Sequence, residues 1–576
     1  MVQAVTATTA RAAGRGDRVL VGAARRGWGR VGGVALLGGA STALVLLLPT
    51  ALGHALDQVL SGRPTGQWVI VCAAVVAAQV LVGAAADMLA ATTAASLTAG
   101  LRRRAVRHVL DAGPPAAREG GGDLVTRLVG NAADAGAAPT AAAALPAGLA
   151  VPLGGIVALG LTDPWLAVAF LAGAPPLILL VRRFAHASSD SIARYQDAQG
   201  RIAARLVEAL GGARTIAAAG TEERENARVL APLPELSGQG HRMWRVQGRA
   251  TAQAAVLVPL LQIVVLAVGG LRLSQGALSV GGLLAASRYA LLASGVGMVV
   301  GQLGGLVRGR AAANRLAAVL AVPAPAHGDA KLPENAPGTL ELRAVTVVRG
   351  GETVLDRLDL TVPGGTCVAV VGRSGSGKSV LAALAGRLAD PTAGTVLLDG
   401  RPLPELTRAE LRDAVGYAFE RPVLLGDTIG DAIAFGPFPV PAEQTVSAAR
   451  AAGADTFVRL LPGGYRTPRA QAPLSGGEVQ RLGLARAFAH AGRLLVLDDA
   501  TSSLDTVTEL HVARALLHDH KARTRLLTTH RAATAARADL VAWLDSGRLR
   551  ALAPHDVLWP DPDYRALFAA EVPSGD

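Results

Sequence analysis

Eight consecutive residues, Gly372-Arg373-Ser374-Gly375-Ser376-Gly377-Lys378-Ser379, carry the most specific chemistry in the chain. They follow an apolar, β-rich run, Val368–Val371, and precede an apolar-periodic stretch suited to a helix. Glycines at this spacing let backbone N–H groups close around phosphates at the positive end of the following helix. Lys378 is placed to reach β- and γ-phosphates, and the Ser379 hydroxyl to ligate Mg²⁺. The bland alternative is a Gly/Ser turn with an incidental lysine, and the flanking strand and helix weigh against it.

Three further groups belong with that loop. Arg493–Leu497 reads as a buried strand that ends in two carboxylates, Asp498 and Asp499. The first is placed to hold Mg²⁺, directly or through water, and the second to orient or activate an attacking water. Leu474-Ser475-Gly476-Gly477-Glu478 precedes a helix expected to start near Val479, whose N–H groups can hold another γ-phosphate. His530 closes a strand-like run, Arg525–Thr529, within reach of a γ-phosphate.

These residues need an α/β scaffold, and the second half of the chain supplies one. A Pro/Gly/Ala-rich stretch, Ala321–Gly338, reads as a linker. Beyond it, 339–576, strands such as Leu340–Val348 and Thr366–Val371 alternate with helical stretches, which implies a largely parallel core.

The first half is different. Across 576 residues the chain is 51% hydrophobic and 3% aromatic, too apolar for an ordinary soluble protein. Residues 1–30 carry Arg11, Arg15, Arg18, Arg25, Arg26 and Arg30 with Trp28 near the end, a basic flank suited to a cytoplasmic membrane surface. Six apolar stretches follow within 31–320: Val31–Leu56, Trp68–Ala86, Ala138–Leu161, Trp165–Val181, Ala250–Leu271 and Val280–Leu306. Each is near the ~20 residues that a membrane-spanning helix needs. The arginine-rich long connections between the second and third and between the fourth and fifth stretches place both connections and both termini in the cytoplasm. Arg288 is the one charge inside an expected span, a candidate for contact with a transported molecule or, alternatively, a snorkelling or structurally paired cation. Gln79, Gln253, Gln262 and Gln302 either line the same cavity or hold helices together.

The formal charge of +12 is almost all arginine, since Lys331, Lys378 and Lys521 are the only lysines. An Ala/Gly/Arg-rich composition fits a GC-rich bacterial genome, and membrane-facing loops explain the charge better than nucleic-acid binding. Cys72 and Cys367 both lie in apolar runs, so neither a disulfide framework nor a metal cluster is expected.

The ordered set GRSGSGKS, LSGGE, LLVLDD, SSLD and TTHR resembles that of an ATP-binding cassette domain. Joined to six spans in one chain, it is similar to an ABC exporter half-transporter. The resemblance implies a multi-domain protein of the bacterial inner (plasma) membrane, with an all-α transmembrane domain and a cytoplasmic α/β P-loop domain. It implies ATP and Mg²⁺ as ligands, a second half-transporter as partner, and a small molecule or peptide as cargo. ATP would lie between Gly372–Ser379 of one chain and Ser475–Glu478 of the other. Short transverse segments near Asp111–Gly122 and Gly220–Glu225 would be coupling helices.

Several positions depart from the family pattern. Asp499 stands where glutamate is usual, a carboxylate drawn back by ~1 Å, enough to cost roughly 10²-fold in rate. Glu420 replaces a glutamine that follows the strand Gly416–Phe419; it can still ligate Mg²⁺ but adds negative charge. Arg349 stands where an aromatic usually stacks on adenine, and a guanidinium can also stack. Thr467–Pro473 is shorter than usual before the LSGGE. An intact LSGGE beside a compromised water-activating position points to a heterodimer with one degenerate site. The alternatives are a homodimer with two slow sites, an importer on the same fold, and a nucleotide-gated channel or regulator.

Overall fold

The computed structural model describes residues 2–64, 66–117, 121–295, 297–490, 492–502, 504, 506–518 and 524–568. Part of the first expected coupling segment, 118–120, and Ser503 and Asp505 of SSLD lie outside them. The chain divides into two compact units, Met1–Leu110 with Glu119–Val322, and Asp111–Arg118 with Pro323–Asp576.

The first unit is helical throughout. After a basic helix α1 (Val2–Arg26) come α2 (Trp28–Leu60), α3 (Gly66–Ala112), α4 (Ala132–Thr162), α5 (Pro164–Gly173), α6 (Pro175–Gly211), α7 (Leu233–Ser274), α8 (Val280–Ala293) and α9 (Gly297–Leu320). Among the described residues, five helical stretches are long and apolar enough to cross a membrane: Trp28–Leu60, Gly66–Ala112, Leu124–Thr162, Pro164–Phe184 and Glu222–Ser274. The sixth expected span, Val280–Leu306, is not one helix. It breaks after Ala293, at Ser294 and Gly295, poor helix formers that let the ladder end, and the next helix begins at Gly297. The fourth is interrupted at Ala174, where Pro175 lacks the N–H needed to continue.

Small residues bring these helices together. A Cβ on Gly53 of α2 would stand 2.6 Å from the Gly281 carbonyl of α8, and one on Gly155 of α4 would meet Tyr289 and Ala293 backbone. Such close backbone approach is how helices associate when no hydrophobic drive exists between them in lipid. Side-chain hydrogen bonds reinforce it. Asp57 Oδ1 accepts from Gly281 N at 2.7 Å, Tyr289 OH donates to Leu46 O at 2.8 Å, and Thr50 pairs with Tyr289. A tight turn at Thr162–Pro164 joins α4 to α5: Asp163 caps α5 through Trp165 N at 2.9 Å and pairs with Arg272 at 2.8 Å. In the second connection, Gly220 adopts φ +60° and a nine-residue helix, Glu222–Leu230, follows.

The second unit has two sheets. Strands β1 (Leu340–Arg349), β2 (Glu352–Val362), β4 (Ala393–Leu398) and β5 (Arg401–Pro402) form an antiparallel sheet ordered β2-β1-β4-β5. The other contains β3 (Cys367–Val371), β6 (Val415–Ala418), β7 (Leu494–Asp498), β8 (Thr524–Thr528), β9 (Leu540–Asp545) and β10 (Arg548–Ala553), ordered β10-β9-β3-β8-β7-β6. All its pairings are parallel except β9 with β10. All five residues of β3 are buried, which is why its sequence is a continuous apolar run rather than an alternating one. Helices α10 (Lys378–Ala385), α11 (Gly476–Ala489) and α12 (Thr506–His518) connect the strands.

Much of the expected linker is not loose. Gly328 N donates to Pro404 O and Ala330 N to Glu405 O, both at 2.9 Å. Arg387, buried with φ +46°, holds the same stretch: its guanidinium reaches Ala326 O, the His327 ring at 2.9 Å, Leu403 O at 3.3 Å and Asp390 at 3.1 Å. Burial, then the nearby Arg387, Arg408 and Arg412, keep His327 below its ordinary pKa, so its ring is neutral and free to accept. Arg387→Ala strands these acceptors and is expected to cost about 2–4 kcal/mol. A thermal melt of the purified chain would read this as an earlier cassette transition; an unmoved transition would show that Arg387 does not anchor the segment.

Candidate active site

Strand order decides which side chains meet. β3, β8, β7 and β6 are consecutive neighbours in the parallel sheet, so their carboxyl ends lie side by side. From those ends come the loop 372–379, His530, the pair Asp498 and Asp499, and Glu420. Residues spread over more than 150 positions of sequence thus converge because their strands are adjacent.

The loop has the backbone that its glycines permit. Gly372, Gly375 and Gly377 take φ of +155°, +82° and +101°. A Cβ on Gly372 would stand 2.3 Å from Leu544 O, and one on Gly377 2.6 Å from Leu355, so neither position has room for a side chain. Lys378 opens α10 and folds back, donating to Gly372 O at 2.7 Å and Arg373 O at 3.0 Å. Burial holds its ammonium below the ordinary value, against the pull of Asp499 and Asp498. The Ser376 hydroxyl is buried and has no hydrogen-bond partner among the described residues. An orphaned hydroxyl in a glycine cradle, beside a desolvated ammonium, fits a bound phosphate. Ser374 and Ser379 are exposed at the mouth of the loop.

Asp498 accepts from Tyr417 OH at 3.3 Å and Thr528 Oγ1 at 3.1 Å. Asp499 sits in left-handed backbone, φ +49°, with its N–H donated to Thr528 Oγ1 at 2.8 Å. Burial raises the Asp499 carboxyl; His530 opposes the rise, and Glu420 and Asp498 add to it. Those four influences put the expected acid–base residues in one electrostatic neighbourhood. Glu420 itself is exposed, 3.6 Å from Arg421.

Among the described residues, no group of three or more His, Cys, Asp or Glu forms a metal cage. Mg²⁺ does not require one, since it is commonly held by one or two protein oxygens together with phosphate oxygens. Asp498, Ser379 and Glu420 are the residues that would hold it here.

Helix α11 starts at Gly476, three residues earlier than expected, because Ser475 and Glu478 close a capping box. Ser475 N donates to the Glu478 carboxylate at 2.7 Å and its hydroxyl at 2.8 Å, so the cap engages Ser475 and Glu478 and not the N–H groups of Gly476 and Gly477. Arg349 ends β1, exposed, beside Gly350 and Gly351. Arg288 lies on an exposed face of α8, and the glutamines do not share one cavity. Gln262 donates to Ser287 Oγ at 2.8 Å, whereas Gln253 lines a cleft with Arg183 between α6 and α7.

Sequence reading missed Gln480 and Thr528. Gln480, buried on α11, reaches Glu420 O, Asp499 O and Ser502 Oγ at 3.3–3.4 Å and so ties the helix behind LSGGE to the carboxylate loops. The only signal was one glutamine on an otherwise apolar face. Thr528 is a strand residue whose hydroxyl serves both aspartates.

A family model described as ABC transporter transmembrane region matches residues 33–295, and one described as ABC transporter matches 355–502. The chain is 52% identical over 523 residues to the ABC transporter ATP-binding protein RamA of Streptomyces coelicolor, covering 91% of this chain and 82% of that protein. It is 32% identical over 543 residues to the multidrug efflux ATP-binding/permease protein Rv0194 of Mycobacterium tuberculosis, covering 92% of this chain and 45% of the relative. Among solved structures, a bacterial Atm1-family ABC exporter with ATP bound matches with TM-score 0.78 at 24% identity, over 96% of this chain and 99% of that one. At that identity the likeness concerns the fold.

Because Ser376 Oγ is buried without a partner among the described residues, Ser376→Ala should raise the unfolding midpoint of the nucleotide-free cassette, a gain of about 1 kcal/mol. The same change should weaken nucleotide binding roughly 10-fold, the loss of one charge-assisted hydrogen bond. A lower midpoint with unchanged binding would remove Ser376 from the phosphate site.

Proposed function

This chain belongs to the ABC transporter family, as a half-transporter that couples ATP hydrolysis to movement across a membrane, and we propose that it is the degenerate-site subunit of a heterodimeric exporter. In this reading its LSGGE completes the catalytic site of a second half-transporter. Its own loop binds ATP and turns it over poorly. The cargo is an amphipathic small molecule or peptide, and the setting is a bacterial plasma membrane with the cassette in the cytoplasm.

The observation that carries the reading is the state of residue 499. Its side chain is aspartate, one methylene short of the family's glutamate, and its backbone is left-handed, a conformation that Asp tolerates better than longer side chains. Burial and the carboxylates of Glu420 and Asp498 also raise its pKa. A general base needs reach as well as a suitable pKa, and here reach is what is lacking. The capping box of Ser475 and Glu478, by contrast, leaves the start of α11 ready to meet a phosphate.

The rest of the site does the work of binding. Backbone N–H groups of 375–379 and the Ser376 hydroxyl close on the phosphates, and the Lys378 ammonium leaves Gly372 O and Arg373 O to offset their charge. Asp498 and Ser379, with Glu420 beside them, would hold Mg²⁺, which when bound would supply charge neutralisation to the phosphates. His530, adjacent to Asp499 in the electrostatic neighbourhood, donates toward the γ-phosphate. Closure of paired cassettes on ATP then drives the helices of the membrane unit from inward- to outward-facing.

Purified alone in lipid, the chain should show negligible MgATP turnover, and Asp499→Glu should raise it by roughly 10- to 100-fold. Brisk turnover by the unaltered chain would mean a working homodimer and would contradict the degenerate-site reading.

A further inference from the structure

The hinge between α1 and α2 holds a cleft that transport does not explain. About 410 Å³ in volume, it is walled by Arg26 of α1, by Trp28 and Arg30 of α2, and by Ser96 and Leu97 of α3. Gly27, Gly29 and Gly100 form part of its surface, and no heavy atom lies within 4 Å of where a Cβ on Gly29 or Gly100 would stand. Trp28 is 80% exposed at its rim.

Its charge is one-sided. No carboxylate occurs between Asp17 and Asp57, or between Asp87 and Asp111, the two stretches that supply the walls. Over the same stretches lie Arg18, Arg25, Arg26, Arg30 and four arginines of 102–107. The nearest acid on α1, Asp17, is already paired with Arg310 at 2.7 Å. Arg26 and Arg30 are exposed and have no acidic partner among the described residues.

The cleft is also fixed in place. α1 packs on α9 and α3 through Val19, Ala23, Leu101, Ala105, Leu316 and Ala317, and a Cβ on Gly16 would stand 2.0 Å from Asn314 Oδ1. Two uncompensated guanidinium groups are therefore held at the entry of a span whose apolar residues begin at Val31, beside an indole of the kind that sits at headgroup level.

We propose that this cleft binds the headgroup phosphate of an anionic phospholipid of the cytoplasmic leaflet. Arg26 and Arg30 take the phosphate oxygens, planar forks suited to that geometry. Trp28 and Leu97 lie along the glycerol and upper acyl chain. With no carboxylate in the walls, nothing pairs with the ammonium of a zwitterionic headgroup, so phosphatidylglycerol is preferred over phosphatidylcholine.

The test is a thermal-unfolding titration of the full chain in detergent with dioctanoyl phosphatidylglycerol, dioctanoyl phosphatidylcholine or inorganic phosphate. With saturating MgATP present throughout, so that the loop 372–379 is already filled, phosphatidylglycerol should raise the midpoint saturably, and the other two should not. In R26Q/R30Q the half-saturating concentration should rise about 10-fold or more, R26K/R30K should lose less, and R25Q, outside the cleft, should behave as the parent. Should R26Q/R30Q fail to fold, S96W fills the cleft from an exposed position and should abolish the response. An equal response to phosphatidylcholine, or an unchanged response in R26Q/R30Q or S96W, would overturn the site. Equal protection by inorganic phosphate would overturn the lipid assignment and leave a free-anion site.

Discussion

Charge balance at the end of one sheet governs this protein. Three carboxylates, Asp498, Asp499 and Glu420, gather where β6, β7 and β8 end, and Lys378 and His530 are the groups that oppose the rise of Asp499 there. The lysine is desolvated and the serine beside it has no partner among the described residues, two features that a bound phosphate would satisfy. Phosphates relieve the loop, and a divalent cation relieves the carboxylates. Neither ligand relieves both groups alone, so nucleotide and cation are expected to bind together.

The sheet makes that gathering possible. A strand without a polar face, Cys367–Val371, must be covered on both sides, and parallel neighbours connected by helices achieve this. Parallel pairing then aligns the carboxyl ends of successive strands, and the loops leaving them share one edge. Burial raises the Cys367 thiol to about 11, so this central cysteine is an inert packing group. The membrane unit follows a different rule. Glycines at 53, 155 and 281 let backbones touch, and a few polar groups such as Asp57, Tyr289 and Asp163 fix the register.

The candidate site was legible in the sequence wherever chemistry demands a residue type at a fixed spacing. The loop 372–379, the paired aspartates and LSGGE each carry their own local signal, and their strand and helix settings were placed within a few residues. Gln480 and Thr528 were not legible, because a hydroxyl or amide that orients a neighbour has no spacing rule; only the fold says what it reaches. In the membrane half, composition marked where spans lie and missed the break at Ser294–Gly295 in the sixth, since hydropathy averages over local helix propensity. Linker composition marked a boundary but not what the segment docks on: Arg387 and the backbone of 403–405 hold the stretch from Ala326 to Ala330. Polar, Pro-rich sequence shows that a segment has no periodic structure, not that it is undocked.

The most direct measurement is the chemical identity of the nucleotide held by this chain in the membrane-embedded transporter at steady state. A photoreactive ATP analogue would be crosslinked during turnover and its phosphate content read on the peptide that contains Gly372–Ser379. Triphosphate on this peptide, with diphosphate on the loop of the paired chain, is the predicted result. Diphosphate on this chain's own loop, at the same level as on the other, would contradict it and restore Asp499 as a working base.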